Sequence, residues 1–185
     1  MKKTRLGQYN IADKLFETNN SVVYGAIDKT GNKNAIKFIK KESRSEKSIK
    51  NEIKINYMID CNYILPLKEA IKVNMQDFNY AFVMPKANED LYEFFKKKEK
   101  LNEDVILEIM HNLLMALNYI HGIGIIHRNV KLENILFIND QYELSNVVLS
   151  DFCLATSGFS NNIDQVGSLP YMAPEMHEHK ICMIL

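Results

Sequence analysis

A change of periodicity partway along the chain limits its fold more than any other feature. Residues 105–121 place Ile106, Met110, Leu113, Leu114, Leu117 and Ile120 at the spacing of one helical face. Asn102 stands ahead of them as a cap, and Gly122 and Gly124 stop the pattern. The first part of the chain reads differently. Residues 9–16, 22–27 and 34–39 alternate or run apolar as strands do, with Asp28-Lys29-Thr30-Gly31-Asn32 as a tight connection between the last two. Residues 64–73 and 80–84 read as two further strands, the second ending at Pro85. Between these groups, Ile49, Ile53 and the run from Tyr57 to Ile59 give only a ragged helical stripe. Beyond the long helix, short strands over 135–138 and 147–149 bracket the turn signal Asn139-Asp140-Gln141. The pattern implies an α+β chain: a β-rich module with one helix, then a module built on a long helix. The change falls between residues 85 and 90, so domains of 1–87 and 88–185 are expected.

Composition narrows the function by exclusion. Lys and Arg balance Asp and Glu, so nothing points to a nucleic-acid partner. Cys61, Cys153 and Cys182 are too few and too scattered for a disulfide framework, which fits a reducing compartment. The basic N-terminus has no apolar core behind it, and no apolar run reaches the roughly 18 residues of a membrane span. A cytoplasmic, soluble protein with no membrane contact is expected.

The chemistry-bearing residues cluster late. His127-Arg128-Asn129-Val130-Lys131-Leu132-Glu133-Asn134 is followed by Asp151-Phe152-Cys153, by Gly167-Ser168 and by Tyr171-Met172-Ala173-Pro174-Glu175. Upstream, Ala35-Ile36-Lys37 lies on an expected strand and Glu52 on the helix after it. Phosphoryl transfer needs a phosphate-gripping cation, oxygens for magnesium and a group to receive the hydroxyl proton. This set, over about residues 9–175, resembles a eukaryotic protein kinase domain of the serine/threonine type.

The resemblance implies a bilobal fold, with a small N-terminal antiparallel β lobe carrying one helix and an incomplete, mainly helical C-terminal lobe. It implies ATP and Mg2+ as cofactors and a protein as substrate or regulated partner. Lys37 would hold the phosphates and pair with Glu52; Asn134 and Asp151 would supply metal-binding oxygens. Lys131 matches the cation of serine/threonine-type members, and Ser168 the hydroxyl facing the substrate's next position. Met84 would be the gatekeeper, Pro85 would offer only a carbonyl, and Ala87 would offer a carbonyl and an N–H to adenine. Val23, Ala35 and Leu136 would enclose the adenine ring. Arg128 would ground a phosphorylated segment, with Ser157, Ser160 and Ser168 as candidate sites, or else satisfy backbone carbonyls.

Five departures qualify that picture. Asn129 stands where the family has its proton-accepting aspartate; an amide can orient a hydroxyl but takes no proton at neutral pH. Aligned on Val23, the three glycines of the phosphate loop are replaced by Phe16, Thr18 and Ser21, so weak or absent nucleotide binding is expected. Cys153 replaces the glycine after Asp-Phe, and Asn56 puts a polar amide where an apolar residue is usual. The family's domain also continues for roughly another hundred residues of helices, so an exposed apolar surface on the 105–121 helix is expected. Two functions follow: a catalytically impaired, pseudokinase-like signalling module, and alternatively an active serine/threonine kinase. Other chemistries are poorly supported. His177, His179 and Cys182 lack a fourth ligand, and a Cys153–His127 pair lacks an orienting residue.

Overall fold

Most of the expected strands and both expected helices recur in a computed structural model of the chain, which describes residues 5–98, 102–138, 147–157 and 166–172. Outside the described residues lie Asn139-Asp140-Gln141, Ser160, Ala173-Pro174-Glu175, His177, His179 and Cys182. The chain forms two compact units, Met1–Lys50 with Pro66–Ala87, and Asn51–Leu65 with Asn88–Leu185. The expected α+β class holds.

The first unit is a six-stranded antiparallel sheet. Its strands are β1 (Arg5–Leu6), β2 (Tyr9–Glu17), β3 (Ser21–Ile27), β4 (Lys33–Lys40), β5 (Glu69–Lys72) and β6 (Phe78–Pro85), ordered β1-β2-β3-β4-β6-β5. Alternation along β4 sends Ile36 and Phe38 into a core with Tyr9, Ala26, Ala81 and Val83. Phe38 meets the edge of Tyr24, ring centroids 5.9 Å apart. The β3–β4 turn is held by Asp28, whose Oδ1 accepts from the N–H of Thr30 and Asn32 and from the Thr30 hydroxyl. Its Oδ2 accepts from the side-chain amides of Asn32 and Asn34.

One expected strand is split. Residues 64–73 yield only β5, because Pro66 has no N–H to give a ladder. Ile64 instead makes an isolated parallel bridge to Leu149.

The second unit carries most of helix α1 (Glu46–Met58), then β7 (Glu89–Asp90), α2 (Leu91–Lys96), α3 (Glu103–Gly122), β8 (Ile125–Ile126), β9 (Ile135–Phe137), β10 (Val147–Leu149) and β11 (Thr156–Ser157). Strands β7, β9 and β10 form one small antiparallel sheet, β8 and β11 another. Helix α1 starts earlier than its apolar residues indicate, since Ser45 caps it by accepting from the N–H of Ser48. Its buried stripe is Ile49, Glu52 and Ile55; the carboxylate on the apolar side is what makes the pattern ragged. Asn56 donates to the carbonyl of Glu52, which supplies the partner its amide needs. Helix α2 has no long apolar stripe, but Asp90 caps it by accepting from the N–H of Glu93.

Asn102 caps α3 as expected, accepting from the N–H of Asp104. The inward face, however, is Ile109, Asn112, Ala116 and Ile120, packed with Phe94, Phe137, Leu149 and Phe152. Leu113 and Leu117 border it. Ile106, Met110 and Leu114 stay 43%, 45% and 58% exposed, so the helix is apolar on two sides and one stripe faces out. No described helix is long and apolar enough to cross a membrane.

Candidate functional site

The segment after β8 is organised by a buried histidine. His127 Nδ1 accepts the Asn129 N–H at 3.2 Å, so the proton sits on Nε2, which donates to the Ser150 carbonyl at 3.0 Å. Burial lowers its pKa and keeps the ring neutral, opposed by its hydrogen bond to Ser150 and by the charge of Asp151. Phe152 packs edge-on against the ring at 4.7 Å. Arg128 donates from Nε to the carbonyl of Leu154 at 2.7 Å, so it does satisfy a backbone carbonyl.

Asn134 closes the loop from its other end. It is the last residue of a 3-10 turn, Leu132–Asn134, and its Nδ2 donates to the Asn129 carbonyl at 2.8 Å. Its own carbonyl accepts from both the N–H and the hydroxyl of Ser150, at 2.8 and 3.0 Å. The β9–β10 register, which pairs Ile135 with Leu149, puts Asn134 across from Ser150 and next to Asp151. Asp151 and Arg128 have φ of 65° and 63°, a region that non-glycine residues enter only when the surroundings force them. Cys153 donates from Sγ to an Asp151 carboxylate oxygen at 3.6 Å.

Ser168 reaches the same loop. Gly167 has a φ of 124°, and a Cβ there would meet the Arg128 carbonyl at 2.7 Å, so only glycine permits the approach. The following Ser168 hydroxyl donates to Asn129 Oδ1 at 3.3 Å. Lys131 forms a partly exposed pair with Glu133 at 3.7 Å. Leu136, half-buried on β9, pairs with Val148 and Asp90. Glu52 is only 3% exposed. Its helix is tied to the stretch after Asp151 by Asn51, which donates to the Ala155 carbonyl at 3.0 Å.

The remaining expected residues belong to the first unit. Val23 pairs with Lys37 across β3 and β4, and Ala35 with Met84 across β4 and β6. All four therefore lie on the sheet face opposite Ile36 and Phe38. Pro85 pairs with Asn34, and Ala87 follows the end of β6. The sequence reading passed over Ser150, Asn51 and the bond from Ser168 to Asn129. Only the polar Ser150 closing the apolar Val147–Leu149 run carried a local signal.

The donor set in the second unit suits magnesium in kind. Asp151 brings a carboxylate and Asn134 a carbonyl oxygen, hard ligands of the type Mg2+ takes alongside waters and phosphate. Because Asn134 Nδ2 is bonded to Asn129, its side-chain oxygen is the end left to ligate. Among the described residues there is no group of three His, Cys, Asp or Glu side chains placed for a metal.

Comparison with known proteins agrees with this geometry. The family model described as the protein kinase domain matches residues 9–182. The chain is 33% identical over 178 residues to the serine/threonine-protein kinase zyg-8 of Caenorhabditis elegans, covering 91% of this chain and 22% of that protein. It is 32% identical over 160 residues to the serine/threonine-protein kinase SBK1 of Danio rerio, covering 83% and 40%. It is 30% identical over 157 residues to the CaM kinase-like vesicle-associated protein of Homo sapiens, covering 83% and 31%. The chain thus spans well under half the length of these relatives. With residues 9–182 matched and these relatives at 30% identity or above, the chain belongs to the protein kinase domain family, of the serine/threonine type.

Proposed function

We propose that this domain is a catalytically impaired, pseudokinase-like module that binds Mg-ATP weakly and acts by regulating a partner protein. The observation that carries this reading is Asn129. It occupies the loop position of the proton acceptor, and its Oδ1 already takes a hydrogen bond from Ser168. An amide oxygen has a second lone pair and can still orient a substrate hydroxyl, yet it removes no proton. General-base assistance contributes about 10²–10⁴-fold, or roughly 3–5 kcal/mol of barrier.

The other roles are those the retained residues support. Lys37 grips phosphate oxygens, Lys131 offsets charge on the group in transfer, and Asn134 with Asp151 hold magnesium. Magnesium held there would offset the negative charge of the phosphates. Val23, Ala35, Met84, Pro85, Ala87 and Leu136 receive the adenine. Glu52, buried on α1, is the carboxylate to pair with Lys37. A cytoplasmic setting goes with this reading.

An active serine/threonine kinase transferring the ATP γ-phosphate to a protein hydroxyl is the second reading. It is favoured by the hydrogen-bonded placement of Asn134 beside Asp151. Asn129→Asp decides between them in a transfer assay with Mg-ATP and a generic serine/threonine peptide. The first reading expects the variant to exceed the natural chain by about two orders of magnitude or more. Transfer by the natural chain as fast as by the variant would favour the second.

A further inference from the structure

The tip joining β2 to β3 is closed by its own side chain. Thr18 Oγ1 accepts the N–H of Asn20 at 3.2 Å and of Ser21 at 3.1 Å. Its proton goes to the Ser21 carbonyl at 3.3 Å or the Ser21 hydroxyl at 3.2 Å. The Thr18 N–H in turn donates to the Ser21 carbonyl at 2.8 Å. Lys40 fastens the tip from β4: its N–H donates to the Asn20 carbonyl, and its ammonium to the Thr18 carbonyl at 2.9 Å. The same ammonium holds the Glu17 carboxylate at 2.6 Å, with Lys14 on the other oxygen at 3.1 Å. The N–H groups of Thr18, Asn20 and Ser21 are therefore all spent within the turn.

An amide N–H has one strong hydrogen bond to give, and a phosphate taking it must first displace the present acceptor. Glycine-rich loops hold phosphate because their N–H groups point outward, unspent. Here a hydroxyl oxygen sits among those groups as an internal substitute for the anion. We infer that Thr18 is a specificity-determining residue: it occupies the tip's amides, so the domain holds the nucleoside part of ATP while the tip adds nothing for the phosphates. This rests on the nucleotide-binding reading above and deepens it. The tip then gives ATP no advantage over adenosine, and any such advantage comes from Lys37 and from magnesium held by Asn134 and Asp151.

Calorimetric titration of the full chain with adenosine and with Mg-ATP tests this directly. Thr18→Gly, which removes the hydroxyl and frees the amides, is expected to bind Mg-ATP about tenfold tighter with adenosine unchanged, as one recovered charge-assisted bond allows. Thr18→Ser keeps the hydroxyl and should match the natural chain. Mg-ATP affinity unchanged or weaker in Thr18→Gly, while adenosine still binds, overturns the inference alone. Amide hydrogen exchange gives a readout independent of nucleotide. Asn20 and Ser21 should be protected in the natural chain and in Thr18→Ser, and exchange about tenfold faster in Thr18→Val. Equal exchange in all three overturns the closed tip. Exchange as expected with adenosine bound by no form overturns the nucleotide reading, and with it the role given to Thr18, but leaves the closed tip standing.

Discussion

The loop from His127 to Asn134 and the tip from Glu17 to Ser21 both depart from the kinase pattern, but in opposite ways. In the loop one residue differs, and the hydrogen bonds around it run through buried groups: His127 to Ser150, Asn134 to Asn129, Ser150 to Asn134. At the tip all three glycines are replaced, and the new side chains bond to one another where exposed Thr18 meets buried Ser21. The loop retains its architecture because a change there would strand buried polar groups, which costs more than the bond itself. At the tip, Thr18, Asn19 and Asn20 are exposed, so water can serve the groups that these residues release. Loss of chemistry and loss of structure are thus separable in this molecule.

Two phenylalanines sharpen that contrast and carry the largest expected effect. Phe152 is fully buried against His127, whereas Phe16, beside the tip, is 55% exposed. Phe152→Ala should cost about 3–5 kcal/mol of unfolding free energy, enough to unfold much of the chain. Phe16→Ala should stay within about 0.5 kcal/mol. Urea denaturation of the two variants measures both. Comparable losses would mean the loop is no better anchored than the tip.

Asn134→Ala probes the same loop without opening a large cavity. It strands the Asn129 carbonyl, and a loss of about 1–3 kcal/mol is expected. Ser150→Ala should cost less, because the Ser150 N–H still reaches the Asn134 carbonyl. If the two variants are equally stable, the side-chain bond to Asn129 does not hold the loop.

Much of this was legible in the sequence, for reasons that differ from place to place. The α3 cap and the sheet strands were, because period and capping chemistry are local. That α3 shows one apolar stripe outward was not: Ile106, Met110 and Leu114 fit a helical face as well as the inward Ile109, Ala116 and Ile120 do. Glu52 blurred α1 because a buried carboxylate counts against a helix stripe until its site is known. The motif residues named the site, but the approach of Ser168 to Asn129 depends on Gly167 passing close to the Arg128 carbonyl. No spacing rule encodes that. Thr18 was visible as a missing glycine and not as an acceptor, since turn hydrogen bonding is settled only once the backbone closes.

Acid separates the regions once more, with the smaller effects. His127 has a folded pKa lowered by burial from an ordinary value near 6.5. Its neutral form belongs to the fold, so its contribution is complete above that value and is lost as pH falls below it, at up to about 1.4 kcal/mol per pH unit for one proton. Urea midpoints should therefore drop between neutral pH and pH 5, and the C–H resonances of the ring should titrate below the ordinary range. Asp28 behaves in the same direction in a different window. The Thr30 hydroxyl, then the Asn32 N–H and the Asn32 and Asn34 amides, hold its carboxyl well below the ordinary 3.8, against some desolvation. A depressed carboxylate stabilises the fold above its ordinary value and loses that contribution only in stronger acid. Its turn is exposed, so the consequence is local: the Thr30 and Asn32 amide resonances should stay unmoved from pH 7 to 4 and shift only below. Asp28→Ala should abolish that late transition and leave the one near neutral pH intact. A single transition in which the Thr30 amide and the His127 ring titrate together would show that the turn and the buried loop do not respond to acid separately.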